Sequence, residues 1–125
     1  MQNCVLIFLL LCCASCSLDV KKLEGHWQAA AFFENGQAAN TSLDEVSMDF
    51  YPSGRYSFRS KAHYSEFGTF RNSGHHLYLT DTTAVSPSVR KIKVLYLSND
   101  SLKIEMAKGG RSQILFLYHP PNTVN

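Results

Sequence analysis

The sequence predicts an all-β protein, an eight-stranded antiparallel up-and-down β-barrel, and three observations support this prediction. Short segments rich in aromatic and β-branched residues recur along the chain, and several alternate apolar with polar residues, as a half-buried strand does. Turn-forming residues separate these segments at regular intervals. Helical periodicity is confined to a single turn over residues 18–25. The chain of 125 residues is long enough for one such domain and not for two.

The N-terminal segment has the character of a secretory leader. Residues 1–17 contain no Asp, Glu, Lys or Arg, and an apolar run over 5–11 extends through Cys12 to Ala14. This run is shorter than the roughly 20 apolar residues that a membrane-spanning helix needs, and small residues follow it. We therefore predict a signal peptide over residues 1–16. The alternative is a buried N-terminal strand or helix.

All four cysteines lie within this leader, at positions 4, 12, 13 and 16. Three of them would leave with the signal peptide, so that Cys16 would be the single thiol of the mature chain. This arrangement resembles the cleavage site of bacterial lipoproteins, in which the cysteine becomes the lipid-carrying first residue. The resemblance implies lipidation of Cys16, membrane attachment through the acyl chains, and a place in the bacterial cell envelope. Ser17 after the anchor favours the outer membrane, and ordinary secretion with cleavage near Ser15 or Ser17 is the alternative.

We predict that the rest of the chain comprises a short linker over 17–24, a barrel domain over 25–119 and a tail over 120–125. Alternation is clear in the second and third segments, where Val46, Met48 and Phe50, and then Tyr56 and Phe58, are separated by polar residues. Turn or loop chemistry occurs at 34–42, 52–54, 60–63, 71–74, 80–88, 98–100 and 108–110. The eight predicted strands, in chain order, are 25–33, 45–51, 55–60, 64–71, 75–80, 89–98, 101–108 and 111–119.

A meander of this kind with one apolar face is expected to close on itself. Closure pairs the first strand with the last and removes both exposed sheet edges. The segments 93–98 and 113–119 are strongly apolar and would promote aggregation as free edges, so closure is favoured over an open sheet.

The sequence at the first strand resembles a known family. "LEGHWQ" (23–28) is similar to the Gly-x-Trp signature that opens the first strand of lipocalins and their bacterial lipocalin-like relatives. "FYPSGRYSF" (50–58) and "LSNDSLKIE" (97–105) resemble two later hairpins of the bacterial domains, and the resemblance covers residues 23–119. It implies a lipocalin-like barrel closed at one end by Trp27. In the family an Arg of the last strand stacks on this indole, and here Tyr118 or His119 stands at that place.

Alternation assigns a set of side chains to the barrel interior. An eight-stranded barrel is wide enough either to be filled by its side chains or to hold one small ligand, and Ala29 and Ala31 leave room beside Trp27. The predicted inner residues are Trp27, Ala29, Ala31, Phe33, Val46, Met48, Phe50, Tyr56, Phe58, Phe70, Leu77, Leu79, Ile92, Val94, Tyr96, Leu102, Ile104, Met106, Ile114, Phe116 and Tyr118.

We therefore predict that the barrel binds a small hydrophobic molecule. The alternative is a filled barrel that binds another envelope protein, or inhibits a secreted enzyme, through the loops 34–42 and 80–88. The predicted ligand-binding residues are Trp27, Ala29, Ala31, Met48, Phe50, Tyr56, Phe58, Glu66, Phe70, Tyr96, Met106 and Phe116.

Glu66 is the best candidate for a polar group inside the barrel, because it shares a strand face with Phe70. Tyr56 or Tyr96 is expected to accompany it inside the barrel. The alternatives are that Glu66 lies at the rim in water or that the strand register slips at Gly68. A barrel enzyme with Glu66 as a base is a third hypothesis, but the chain has no Gly-x-Ser-x-Gly or comparable setting, and we predict no catalytic residue.

Four leucines, Leu95, Leu97, Leu115 and Leu117, fall on the predicted outer face of two strands. A contiguous exposed group of this kind indicates a protein partner or a homodimer, unless the 18–24 turn or the membrane covers it.

Several other classes of function are not favoured by the sequence. The net charge is +2 with scattered Lys and Arg, and the one cluster, 88–93, alternates with apolar residues, so we predict no nucleic-acid partner. His75 and His76 are adjacent and would point to opposite faces of a strand, so we predict no metal site. No cofactor is predicted.

Overall fold

The computed structural model describes residues 18–39, 42–60 and 64–121. The predicted signal peptide over 1–16 and its Cys16 lie outside the described residues. The chain forms helix α1 (Val20–Leu23) and strands β1 (Gly25–Glu34), β2 (Gln37–Ala38), β3 (Ser47–Phe50), β4 (Arg55–Ser60), β5 (Tyr64–Ser73), β6 (His76–Asp81), β7 (Val89–Leu97), β8 (Ser101–Lys108) and β9 (Arg111–Tyr118).

Eight of these strands form a closed antiparallel barrel. Each strand from β3 to β8 pairs with the next along the chain. β1 pairs with β3 on one side and with β9 on the other. The two-residue strand β2 pairs only with the end of β1 and lies inside the segment predicted as a loop over 34–42. The predicted fold class is therefore confirmed.

One end of the barrel is closed by Trp27, which is completely buried. Its indole Nε1 donates a hydrogen bond of 2.7 Å to the carbonyl of Leu23. The imidazole of His119 stacks on the indole with ring centres 3.6 Å apart, and its Nδ1 donates to the carbonyl of His26 over 2.8 Å. Of the two residues expected in place of the family's arginine, Tyr118 and His119, it is therefore His119 that stacks on the indole.

Gly25 makes this closure sterically feasible. Its φ of +122° is rarely adopted by residues with a side chain, and a Cβ at this position would lie 3.1 Å from Cε1 of His119. The glycine of the Gly-x-Trp signature thus permits the chain to pass beneath the stacked rings.

The predicted helical turn is confirmed as α1, and it covers the closed end. The carboxylate of Asp19 accepts a hydrogen bond from the backbone N–H of Lys21 and caps the helix. Leu23 is completely buried, and the N–H of Leu18 donates to the carbonyl of Gly74. Within the described residues, no helix combines the length and the hydropathy that a bilayer crossing needs.

The half of the barrel near Trp27 is filled with side chains. Phe50, Tyr56 and the aliphatic residues of β6, β7 and β8 pack there, each nearly or fully buried. Of the residues predicted to lie inside, eleven are buried: Trp27, Ala29, Met48, Phe50, Tyr56, Leu77, Leu79, Ile92, Val94, Leu102 and Ile104. Val46, Phe58, Phe70 and Met106 are half-buried and pack against them.

The inward assignment is wrong for two residues of β1 because the strand contains a bulge. The pairing of β1 with β9 shifts register between Ala29 and Ala31, so that Ala29 and Phe32 both face the interior. Ala31 and Phe33 consequently face outward. On the outer wall the rings of Phe33 and Phe116 meet edge to face, with centres 5.6 Å apart.

The prediction for Tyr96 is wrong for the same physical reason. The pairing of β7 with β8 shifts between Val94 and Tyr96, and Tyr96 opposes Lys103 on the outer wall with 56% of its surface exposed. Leu97 returns to the inner face and packs against the core.

For β9 the prediction assigned the inner and outer faces the wrong way round. Leu115 and Leu117 are buried, and they lie beside Ile104 and Leu102 of the neighbouring strand β8 on the inner face. The inward placement of Ile114, Phe116 and Tyr118 is therefore wrong, and so is the exposed patch of Leu95, Leu97, Leu115 and Leu117. Of those four leucines, only Leu95 is exposed, at 38%.

We expect His119→Ala to lower the free energy of unfolding by about 1–3 kcal/mol, because it removes the stack on Trp27 and the hydrogen bond to His26. Urea denaturation followed by fluorescence of Trp27 measures this change. The control is His75→Ala, whose exposed side chain makes no hydrogen bond within the described part of the chain. Equal stability of the two variants would refute a closing role for His119.

Candidate ligand-binding cavity

The end of the barrel opposite Trp27 holds a cavity of about 650 Å³. It opens at the mouth, where β4 ends at Ser60 and β9 begins at Arg111. The residues that line it are Phe32, Leu43, Val46, Phe58, Ser60, Tyr64, Arg90, Met106, Ala107, Gln113 and Leu115. Side chains thus fill one half of the barrel, and the other half leaves space for a small molecule.

The two sides of this cavity differ in polarity. Mainly apolar side chains from β1, β8 and β9, among them Phe32, Met106 and Leu115, form one side, where Gln113 of β9 contributes an amide. Tyr64 of β5 and Arg90 of β7 bring polar groups to the other. The cavity is therefore suited to a molecule with an apolar body and a localised polar group.

Glu66 lies behind the polar side and is buried, with 3% of its side chain exposed. Oε2 accepts a hydrogen bond from the hydroxyl of Tyr56 over 2.5 Å. Oε1 accepts from the hydroxyl of Tyr64 over 2.9 Å and from Nη2 of Arg90 over 3.4 Å. Of the placements considered for Glu66, the structure has the inward one, with Tyr56 inside beside it. Tyr96, the other tyrosine considered for the interior, lies on the outer wall.

Register places these groups at successive depths. Tyr64 pairs with Ser60 at the mouth, Glu66 pairs with Phe58 below it, and Tyr56 pairs with Gly68 deeper still. Because inward side chains recur at every second residue, Tyr64 and Glu66 project from the same face of β5. The strand presents them one above the other.

Gly68 permits the approach of Tyr56. A Cβ at this position would lie 1.8 Å from the carbonyl oxygen of Thr80 and 2.9 Å from Cε1 of Tyr56. No side chain fits there, and the ring of Tyr56 takes the space instead. The pairing of β5 runs through Gly68 without a register shift, so the slip considered as an alternative does not occur.

Both tyrosines hold their protons firmly. Burial raises the pKa of the Tyr56 hydroxyl far above its ordinary value, and the hydrogen bond to Glu66 raises it further. For Tyr64 the hydrogen bond to Glu66 is the main cause of a raised pKa, and burial adds to it. Each phenol therefore acts as a donor to the carboxylate.

The structure distributes the predicted ligand-binding residues over three regions. Phe58 and Met106 line the cavity, and Glu66 with Tyr56 lies directly behind its polar side. Ala31, Tyr96 and Phe116 lie on the outer wall. Trp27, Ala29, Met48, Phe50 and Phe70 belong to the packed core below.

Sequence reasoning missed Arg90, although a signal for it was present. The same alternation that places Ile92 and Val94 inside also places Arg90 inside, one step nearer the mouth. Phe32 and Leu115 had no such signal. A bulge displaces Phe32 from the simple alternation, and Leu115 belongs to a strand that is apolar on both faces.

The outer wall carries a chain of His, Asp and Ser side chains, but not in a catalytic order. His26 Nδ1 lies 2.8 Å from Asp49 Oδ1, and the hydroxyl of Ser57 donates to Asp49 Oδ2 over 3.1 Å. The serine therefore bonds to the carboxylate and not to the imidazole that would activate it. Within residues 18–39, 42–60 and 64–121, no three His, Cys, Asp or Glu side chains are grouped so that they could hold a metal ion.

These features define a small antiparallel barrel of eight strands with a cavity at one end, an architecture compatible with a lipocalin-like fold. No protein-family model, curated protein or solved structure matches this chain.

We expect Tyr56→Phe to lower the free energy of unfolding by about 1.5–3 kcal/mol, because it leaves Oε2 of the buried Glu66 without its hydrogen-bond donor. Urea denaturation measures the change. The matched control is Tyr78→Phe, since the hydroxyl of Tyr78 makes no hydrogen bond to any described residue. If both variants lose the same stability, the proton donated by Tyr56 does not support Glu66.

Proposed function

We propose that this protein is a lipocalin-like binding protein that takes up a small, mainly apolar molecule at the mouth of its barrel. The observation that carries the proposal is the cavity of about 650 Å³, whose lining is mostly apolar with Tyr64 and Arg90 on one side. Pockets that bind small molecules commonly have this size and this combination of an apolar lining with few polar groups.

The construction of the barrel adds support. The filled half around Trp27 supplies a packed core, so the open half is not needed to bury the aromatic side chains. Phe58 and Met106 are half-buried beside the open space and offer apolar contact surface. A molecule seated there would remove this surface from water, which is favourable.

We expect Val46→Trp to weaken binding of the neutral apolar fluorophore N-phenyl-1-naphthylamine by at least about tenfold, because the indole would occupy cavity volume. The fluorescence increase of the fluorophore on binding measures its affinity. Native mass spectrometry of the purified mature chain tests independently for a co-purifying apolar molecule.

The matched control is Val89→Trp, since Val89 is 60% exposed and does not line the cavity. Circular dichroism and thermal unfolding establish that both variants fold. Unchanged affinity in Val46→Trp, or an equal loss in Val89→Trp, would place any binding elsewhere than in this cavity.

We further propose that the mature chain is a lipoprotein of the bacterial envelope, attached through acyl chains on Cys16 and located at the outer membrane. The cluster of cysteines in the leader and the cysteine-free remainder of the sequence support this. Leu18, two positions later, is buried at the closed end of the barrel. An anchor at Cys16 would therefore hold the closed end against the membrane, with the cavity mouth at the far end.

We expect Cys16→Ala to move the protein from the membrane fraction to the soluble fraction of envelope preparations, because stable attachment depends on the acyl chains. Immunoblotting of separated fractions measures the distribution. Cys4→Ala is the control, since it removes a thiol at the start of the leader and leaves Cys16 in place. Membrane association that survives Cys16→Ala would rule out this anchor.

A further inference from the structure

Two of the polar side chains that line the cavity, Arg90 and Tyr64, are fixed by Glu66, and together they present one donor group and one acceptor atom. The guanidinium of Arg90 forms one hydrogen bond, from Nη2 to Glu66. The other N–H groups of this guanidinium have no acceptor among the described residues. The hydroxyl of Tyr64 uses its O–H to donate a hydrogen bond to Glu66, so toward a ligand its oxygen acts as an acceptor. A molecule on this side of the cavity thus meets donors on Arg90 and an acceptor on Tyr64, while the hydroxyl of Ser60 and the amide of Gln113 line the cavity elsewhere.

These two groups lie within reach of a single small polar group. Both bond to the same atom, Oε1 of Glu66, at 2.9 Å from the Tyr64 hydroxyl and 3.4 Å from Nη2 of Arg90. Glu66 itself is not available to a ligand, because its two oxygens already accept three hydrogen bonds and its side chain is 3% exposed.

Among the described residues on this side of the cavity, the charges are balanced or slightly negative. Glu66 faces the single guanidinium of Arg90, and the carboxylate of Asp81 lies near enough to raise the pKa of Tyr56 and Tyr64. A carboxylate ligand on Arg90 would place a second anion on one guanidinium beside a buried carboxylate, and it has no proton for Tyr64. An ammonium group would be repelled by Arg90 and could not accept its hydrogen bonds.

We propose that the ligand joins an apolar body to a neutral polar end that both accepts from Arg90 and donates to Tyr64, as an alcohol or a primary amide does. This inference rests on the proposed function and specifies the chemical class of its ligand. The apolar body lies against β1, β8 and β9, and the neutral end lies between Tyr64 and Arg90.

A series of probes with one common tail tests this selectivity. In displacement of N-phenyl-1-naphthylamine, we expect 1-decanol to bind with about tenfold higher affinity than decyl methyl ether, which cannot donate a hydrogen bond to Tyr64. Decanoate and decylammonium should also bind about tenfold more weakly than 1-decanol, because each adds an unbalanced charge. Isothermal titration of each probe with the mature protein measures the same ranking without the fluorophore.

Two variants connect the ranking to the named side chains. Glu66→Gln retains the size of the side chain but removes the charge opposite Arg90, so we expect decanoate to gain about tenfold relative to 1-decanol. Arg90→Gln should weaken 1-decanol by about tenfold. The controls are Glu105→Gln, whose carboxylate accepts from Ser112, and Arg71→Gln, whose guanidinium lies over the ring of Tyr78; neither residue lines the cavity.

The possible outcomes separate this inference from the proposed function. The inference is supported if 1-decanol binds most tightly and if decanoate gains affinity relative to 1-decanol in Glu66→Gln but not in Glu105→Gln. Tightest binding of decanoate or decylammonium, or equal affinity for the whole series, overturns it and leaves a binding cavity. Absence of binding by the fluorophore and by every probe would overturn the proposed function together with the inference. The wild-type ranking decides the matter even if a variant does not fold.

Discussion

The pairing between the first strand and the last is the constraint on which the rest of this barrel depends. β1 pairs with β3 near the closed end and with β9 along the remainder of its length, so it joins the two ends of the meander. This pairing leaves none of the eight barrel strands as a free edge. It also determines which residues of β9 face inward, because Leu117 opposes Ala29 and Leu115 opposes Phe32. The bulge in β1 makes that register compatible with an apolar interior on both strands.

Closure produces a barrel whose two ends differ in kind. At one end Trp27 is held by the carbonyl of Leu23 and by the ring of His119, and large side chains fill the space above it. At the other end Val46, Phe58 and Met106 surround open volume. The filled end supplies close packing, which stabilises the fold without the mouth. The mouth is consequently free to carry polar groups and empty space, neither of which a stable core favours.

Glu66 shows how this barrel accommodates a charge in its wall. A buried carboxylate is costly unless hydrogen-bond donors satisfy it, and here two tyrosines and an arginine do so. In the described part of the chain no buried side-chain nitrogen or oxygen lacks a partner. The network also orders the cavity, since the same bonds that satisfy Glu66 orient Tyr64 and Arg90. Sites of this kind, in which a protein tolerates an interior charge, are frequently functional.

The sequence by itself determined the number of strands, their order and the residue that closes one end. β3, β4 and β8 each alternate so that only one face is apolar. The turn that contains Gly54 separates β3 from β4 through its local conformation alone, whatever the tertiary structure. The same local logic made Glu66 a candidate for the interior, with Tyr56 or Tyr96, but it did not decide between the interior and the rim. The tertiary structure alone decided the faces of β9 and the course of β1 and β7, because a strand apolar on both faces has no preferred side and a bulge leaves no mark in a sequence. It likewise decided that one half of the barrel is filled and the other open, since that depends on how side chains from eight strands meet across the interior.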